Sequence, residues 1–191
     1  GNIDVIVDDA YFFNLTPVSL TVTPASQENA TEETGLRVSG ASTLTQPLTN
    51  LSPDSGVAKF RFTPRHSFEI ANKFGVSSPV IAHLHHDSDN YLKLYRHDDD
   101  TLRLVGVFGG VENTITADWF NPTLDAGTTY DVQIAYTAGG SLSLQIDGTE
   151  VASAEGVVAF ATTPTTIYLG TDNGGANSNP YDATYTHFES L

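Results

Sequence analysis

Asp131-Val132-Gln133-Ile134-Ala135-Tyr136 and Ser141-Leu142-Ser143-Leu144-Gln145-Ile146 both alternate polar with apolar residues, and Ala138-Gly139-Gly140 lies between them. Alternation with period two places Val132, Ile134, Leu142, Leu144 and Ile146 on one face of a strand pair and their neighbours on the other. The glycines supply the positive φ that a short reversal needs, so the two stretches predict an antiparallel hairpin with one face in a core. A second tight turn, Asp147-Gly148, predicts a further strand at Glu150-Val151-Ala152.

The same period recurs outward from this hairpin. It is present in Val57-Ala58-Lys59-Phe60-Arg61-Phe62, in Asn90-Tyr91-Leu92-Lys93-Leu94-Tyr95 and in Thr101-Leu102-Arg103-Leu104. Further strands are expected at 3–7, 19–22, 36–39, 80–85, 166–169 and 183–188, and no helical period is visible. Short strands parted by Gly, Pro, Asn and Asp turns imply two packed antiparallel sheets, an all-β sandwich. One domain is expected over residues 1–191, with 1–17 read as a lead-in strand from a preceding segment and 171–180 as a loop.

Composition narrows the classes of function. With 39% hydrophobic and 16% charged residues, the chain is not a highly charged disordered one. No run approaches the roughly 18 apolar residues of a membrane helix, so membrane insertion is not expected. There is no cysteine, which removes disulfides, thiolate metal sites and cysteine nucleophiles. Acidic residues number 23 and basic residues 8, a net charge of −15. Such a surface repels phosphate backbones, so nucleic acid is not an expected partner. The acidity suits the solubility of an exported domain, and an extracellular or surface-exposed location is expected. The sequons at Asn14, Asn29 and Asn50 are read as chance in a chain rich in Asn and Thr.

Three segments carry a family resemblance: the 130–136 strand, the apolar-x-apolar-x-apolar-Asp-Gly of Leu142 to Gly148, and Ile167-Tyr168-Leu169-Gly170. Together with Phe60-Arg61-Phe62-Thr63-Pro64, 89–94 and 182–188, they resemble the concanavalin A-like (laminin-G-like) jelly rolls over residues 35 to 191. The resemblance implies a fold more than a function, because that superfamily hosts lectins, glycosidases, lyases and adhesion domains. Its glycosidases share a Glu-x-Asp-x-Glu strand that aims two carboxylates to one face, and no such strand occurs here. Its alginate-lyase-like members share a Gln-Ile-His strand, where this chain reads Gln133-Ile134-Ala135. Tyr181, Tyr185 and His187 are the one grouping that could mimic a Tyr/His pair. A non-enzyme is therefore expected.

Two metal readings remain. His83 and His85 share a strand face in a His-x-His pattern, and His97 or Asp87 would have to supply a third ligand. The acid- and amide-rich loops offer oxygens for calcium from Asp87, Asp89, Asn90, Asp172, Asn173 and Asp182. The resemblance supports calcium, since members of that superfamily often hold it in rim loops. The competing reading is that these residues only make turns.

The alternation also defines a binding face. With Leu84, Leu92, Leu94, Leu104, Val132, Ile134, Leu142 and Leu144 inward, the outward residues are His83, His85, Tyr91, Lys93, Tyr95, Arg103, Gln133, Ser143 and Gln145. If their strands share a sheet, that face combines rings, cations and amides, which suits sugars. Trp119, in Asp118-Trp119-Phe120-Asn121-Pro122, is a second platform candidate. The expected function is a non-catalytic, lectin-like carbohydrate-binding module, calcium-assisted, for a neutral rather than an anionic glycan. The alternatives are a structural or adhesion domain of a virion, fibre or cell surface, and a polysaccharide lyase or glycoside hydrolase.

Overall fold

The computed structural model describes residues 19–21, 36–38, 43–65, 79–97, 101–117, 124–173 and 181–191. Within them thirteen strands build two sheets. In the first sheet, β1 (Ser19–Thr21), β3 (Thr43–Pro47), β12 (Thr166–Leu169), β5 (Val80–Asp87), β6 (Asn90–Arg96), β7 (Leu102–Phe108) and β8 (Val111–Ala117) lie side by side in that order. In the second, the order is β11 (Thr149–Glu155), β10 (Ser141–Ile146), β9 (Tyr130–Thr137), β4 (Ser55–Pro64), β13 (Ala183–Ser190) and β2 (Leu36–Val38). All pairings are antiparallel except β1 with β3. The architecture is the all-β two-sheet sandwich that the alternation predicts.

The hairpin predicted at 131–146 forms as β9 and β10, with Val132 opposite Ile146 and Ile134 opposite Leu144. Gly139 turns it at φ 72°, and the next reversal uses Asp147 and Gly148 at φ 51° and 75°. Consecutive positive φ angles match the right-handed twist of the strands they join. The alternation did not announce β3 or β8. Only Leu44, and only Ile115 and Ala117, respectively, reach the core from them, so marginal strands leave a weak periodic signal. The strand expected at 3–7 and the 1–17 lead-in lie outside the described residues.

Leu84, Leu92, Leu94 and Leu104 of the first sheet pack with Phe60, Phe62, Val132, Ile134, Leu142 and Leu144 of the second in one buried cluster. Hydroxyls that must enter this core bring partners with them. Tyr185 on β13 donates to the Ile81 carbonyl of β5 across the sandwich at 2.8 Å, and Tyr136 donates to the Ser52 carbonyl at 2.5 Å.

One rim of the sandwich is closed by Asn90, which is 4% exposed. Its Oδ1 accepts the backbone N–H of Gly109 (3.2 Å), Ala161 (3.0 Å) and Thr162 (3.1 Å), and its Nδ2 donates to Asp87 Oδ1 at 2.9 Å. A single amide thus joins the β5–β6 turn, the β7–β8 turn and the loop before β12. Asn90→Ala orphans three donors, each worth about 1–3 kcal/mol where water cannot replace the oxygen. We expect a loss of at least about 2 kcal/mol in urea unfolding at unchanged m-value; a midpoint equal to wild type would show that water fills the gap.

Candidate functional site

Burial of the leucines of β5, β6 and β7 turns His83, His85, Tyr91, Lys93, Tyr95 and Arg103 to the outer face of the first sheet, as the alternation predicts. Strand pairing arranges them in rows. Tyr168, His83 and Lys93 are consecutive across β12, β5 and β6. His85 lies opposite Tyr91, and Tyr95 opposite Arg103. Residues directly opposite on one face stand in side-chain contact range. Tyr168 is a member that the sequence did not reveal, because nothing local places β12 beside β5.

The rings make a continuous patch. His83 is 4.9 Å from His85, 5.3 Å from Tyr91 and 6.2 Å from Tyr168, centroid to centroid. The Lys93 ammonium lies 5.9 Å from the Tyr91 centroid and 5.6 Å from that of Tyr95, and His97 extends the row at 6.3 Å from Tyr95.

His83 faces outward yet is only 4% exposed, because these rings surround it and Asn173 folds back over it. The Asn173 backbone N–H donates to His83 Nδ1 at 3.3 Å, and its side-chain Nδ2 donates to His85 Nε2 at 3.1 Å. Both bonds need an unprotonated acceptor, which puts the His83 proton on Nε2 and the His85 proton on Nδ1. Burial, with His85 and Lys93 adding to it, pushes the His83 imidazole down to about 3, and Asp172 opposes the shift. Burial likewise lowers His85. Near neutral pH the two imidazoles are therefore an uncharged donor–acceptor pair beside the Lys93 ammonium. His83 Nε2 has no hydrogen-bond acceptor among the described residues.

The six residues expected to hold calcium fall in three places. Asp87, Asp89 and Asn90 form the β5–β6 turn, Asp172 and Asn173 follow β12, and Asp182 precedes β13. Asp87 Oδ1 accepts from Asn90 Nδ2 and from the Asp89 N–H, which hold its carboxyl below the usual range. The Asn90 oxygen is taken by its three backbone donors. Asn173 donates its backbone N–H to His83 and its side-chain Nδ2 to His85. Among the described residues no three His, Asp or Glu side chains gather as a metal site, so neither His97 nor Asp87 completes a trio with His83 and His85.

Two groupings that the sequence offered come out differently. Gln133 does not share the face: β9 lies in the second sheet, so Gln133 points out of the opposite side with Gln145. There they line a groove of about 270 Å³ with Lys59, Arg61, Asp131 and His187. Its cations already have partners, Arg61 Nε at 2.8 Å from Asp131 Oδ1 and Lys59 Nζ at 3.8 Å from Glu189 Oε2. The grouping of Tyr181, Tyr185 and His187 does not form, since the tyrosines are buried and a bulge after Tyr185 turns His187 outward. Trp119 lies outside the described residues.

No family model and no curated protein matches the sequence. Solved structures do match the fold. Domains LG4-5 of the mouse laminin alpha1 chain superpose with a TM-score of 0.57 at 17% identity, over 88% of this chain and 46% of that one. The botulinum neurotoxin serotype D binding domain gives 0.60 at 14% identity, over 81% and 38%. Domain 4 of AbnA, a GH43 extracellular arabinanase from Geobacillus stearothermophilus in complex with arabinotriose, gives 0.52 at 12% identity, over 82% and 65%. The chain spans less than half of the laminin and toxin chains. At these identities the likeness is one of fold, and the sandwich is a concanavalin A-like jelly roll.

The buried imidazole makes stability depend on pH. Unfolded, His83 binds a proton near its ordinary 6.5; folded, it resists until about 3. Its contribution is complete above pH 6.5 and lost as pH falls towards 3. Between pH 6.5 and 5 the loss amounts to about 2 kcal/mol. We expect the melting temperature to drop across that interval and the drop to shrink in His83→Gln. An equal slope in both proteins would contradict this assignment.

Proposed function

We propose that this domain is a non-catalytic carbohydrate-binding module of an extracellular protein, and that its sugar platform is the outer face of the first sheet. The observation that carries the reading is the patch of Tyr91, Tyr95, Tyr168, His83 and His85 on three adjacent strands, with Lys93 and Arg103 among the rings. Sugars present apolar C–H faces and a ring of hydroxyls. Aromatic rings cover the first, while imidazole, phenol and ammonium groups bond the second. The structural neighbours support this reading: the arabinanase domain was solved with arabinotriose, and the toxin structure is a binding domain.

A binding role rather than hydrolysis is supported by the chemistry of the platform. Two carboxylates must flank a scissile glycosidic bond; of the acids near the platform, Asp87 spends its Oδ1 on its own turn, Asp172 lies beside the histidines and Glu112 lies on the far side, in the row of Tyr91. A net charge of −15 disfavours densely charged polyanions, so the ligand proposed is a glycan of mainly neutral sugars. We propose calcium as a further ligand of the loop ends at Asp172, Asn173 and Asp182, where it would stabilise the fold by mass action.

A glycan array followed by calorimetry tests the reading. We expect a hit whose affinity falls tenfold or more, about 1.4 kcal/mol, in Tyr91→Ala and in Tyr95→Ala at nearly unchanged melting temperature. Silence on the array together with self-association would favour a structural or adhesion domain. A thermal-shift titration tests calcium: a melting temperature equal in chelator and in millimolar calcium removes it.

A further inference from the structure

We infer that the platform receives one carboxylate, carried by an acidic sugar unit within an otherwise neutral glycan and seated at the Lys93 ammonium. This rests on the outer face of the first sheet being the glycan platform.

Lys93 occupies the middle of that face. Its strand, β6, lies between β5 and β7, and in its own row it is flanked by His83 and Val105. The two tyrosine rings on its own strand hold the ammonium through their π faces, at 5.9 and 5.6 Å. An ammonium has three donors, and π contacts leave it able to donate to an incoming oxygen.

The missing member is an anion. Acids outnumber bases 23 to 8 in this chain, so a random lysine would find a carboxylate nearby. On the second sheet Lys59 and Arg61 do find one each. Among the described residues none is in ion-pair contact with Lys93, whose only contacts of this kind are the two rings. The groups that face it are the neutral His83 and His85, with Asp87 and Asp172 beyond them, and Arg103 in the neighbouring strand. Glu112 lies on the far side, in the row of Tyr91 and Val107.

Asp87, Asp172 and Glu112 therefore edge the platform with negative charge, while its centre carries an ammonium that none of the described acids pairs with. A single carboxylate gains from Lys93 at the centre rather than at the acidic edges. A polymer charged at every residue would meet those edges. The net charge does not override the local contact, because charges more than about 8 Å away are largely screened at physiological salt.

Matched sugars read this out on the whole chain: 3′-sialyllactose against lactose, and xylo-oligosaccharides bearing one glucuronic acid against their carboxyl-reduced forms. Calorimetry with the wild type should show the acidic member of at least one pair binding about ten- to a hundredfold more tightly. Lys93→Gln should erase that preference by weakening the acidic member far more than the reduced one, while Tyr91→Ala weakens both members alike. Equal affinity for acidic and reduced sugars, or a preference that survives Lys93→Gln, overturns the carboxylate inference and leaves the platform standing. Absence of binding to every pair by the wild type, with Tyr91→Ala no different, overturns the platform and the inference together.

Discussion

Burial of Leu84, Leu92, Leu94 and Leu104 against the opposite sheet is the constraint on which the rest of this molecule depends. A strand has two faces and no third choice. Once these leucines leave water, His83, His85, Tyr91, Lys93, Tyr95 and Arg103 must face out. The hydrophobic term that drives the leucines inward is worth roughly 1.5–3 kcal/mol for each side chain fully buried. It is therefore also the force that holds four rings and two cations on one face.

The two outer faces are built from similar residue types and reach opposite electrostatic states. On the second sheet Lys59 and Arg61 each lie beside a carboxylate, in solvated ion pairs of the kind that contributes little to stability. On the first sheet rings displace water, Asn173 fixes two imidazoles in neutral tautomers, and the ammonium is left among π faces. Polar groups held away from water with incomplete partners cost free energy in the unbound protein. A ligand that completes those partners recovers it, which is why the first face, and not the groove around Gln133, is the one we propose as the binding surface.

The acid-rich turns illustrate how one composition serves different ends. Asp87, Asp89 and Asn90 have the oxygens of a hard-cation site, but in the fold they satisfy backbone N–H groups. Asp87 closes its own turn, and Asn90 bonds three donors from two other loops. Short Asp and Asn side chains mimic backbone acceptors, so loops that must pack together draw on the same residues as loops that hold metals.

Period-two alternation in 131–146, 90–95 and 57–62 was enough to determine an all-β sandwich, and the hairpin at Ala138-Gly139-Gly140 formed with the expected face inward. The same pattern determined which residues of β5, β6 and β7 face outward. These are local properties, set by the pleat and by the partition of side chains between water and core. Which outward faces coincide was decided only by the tertiary structure. Tyr168 joined His83 from 85 residues away in sequence because β12 pairs with β5, and Gln133 left the set because β9 pairs with β4 in the other sheet. Asn173 became a clamp on two imidazoles only because the chain leaving β12 passes over β5. Neighbour relations between strands are settled by packing two sheets over a common core, and no window of sequence contains that information.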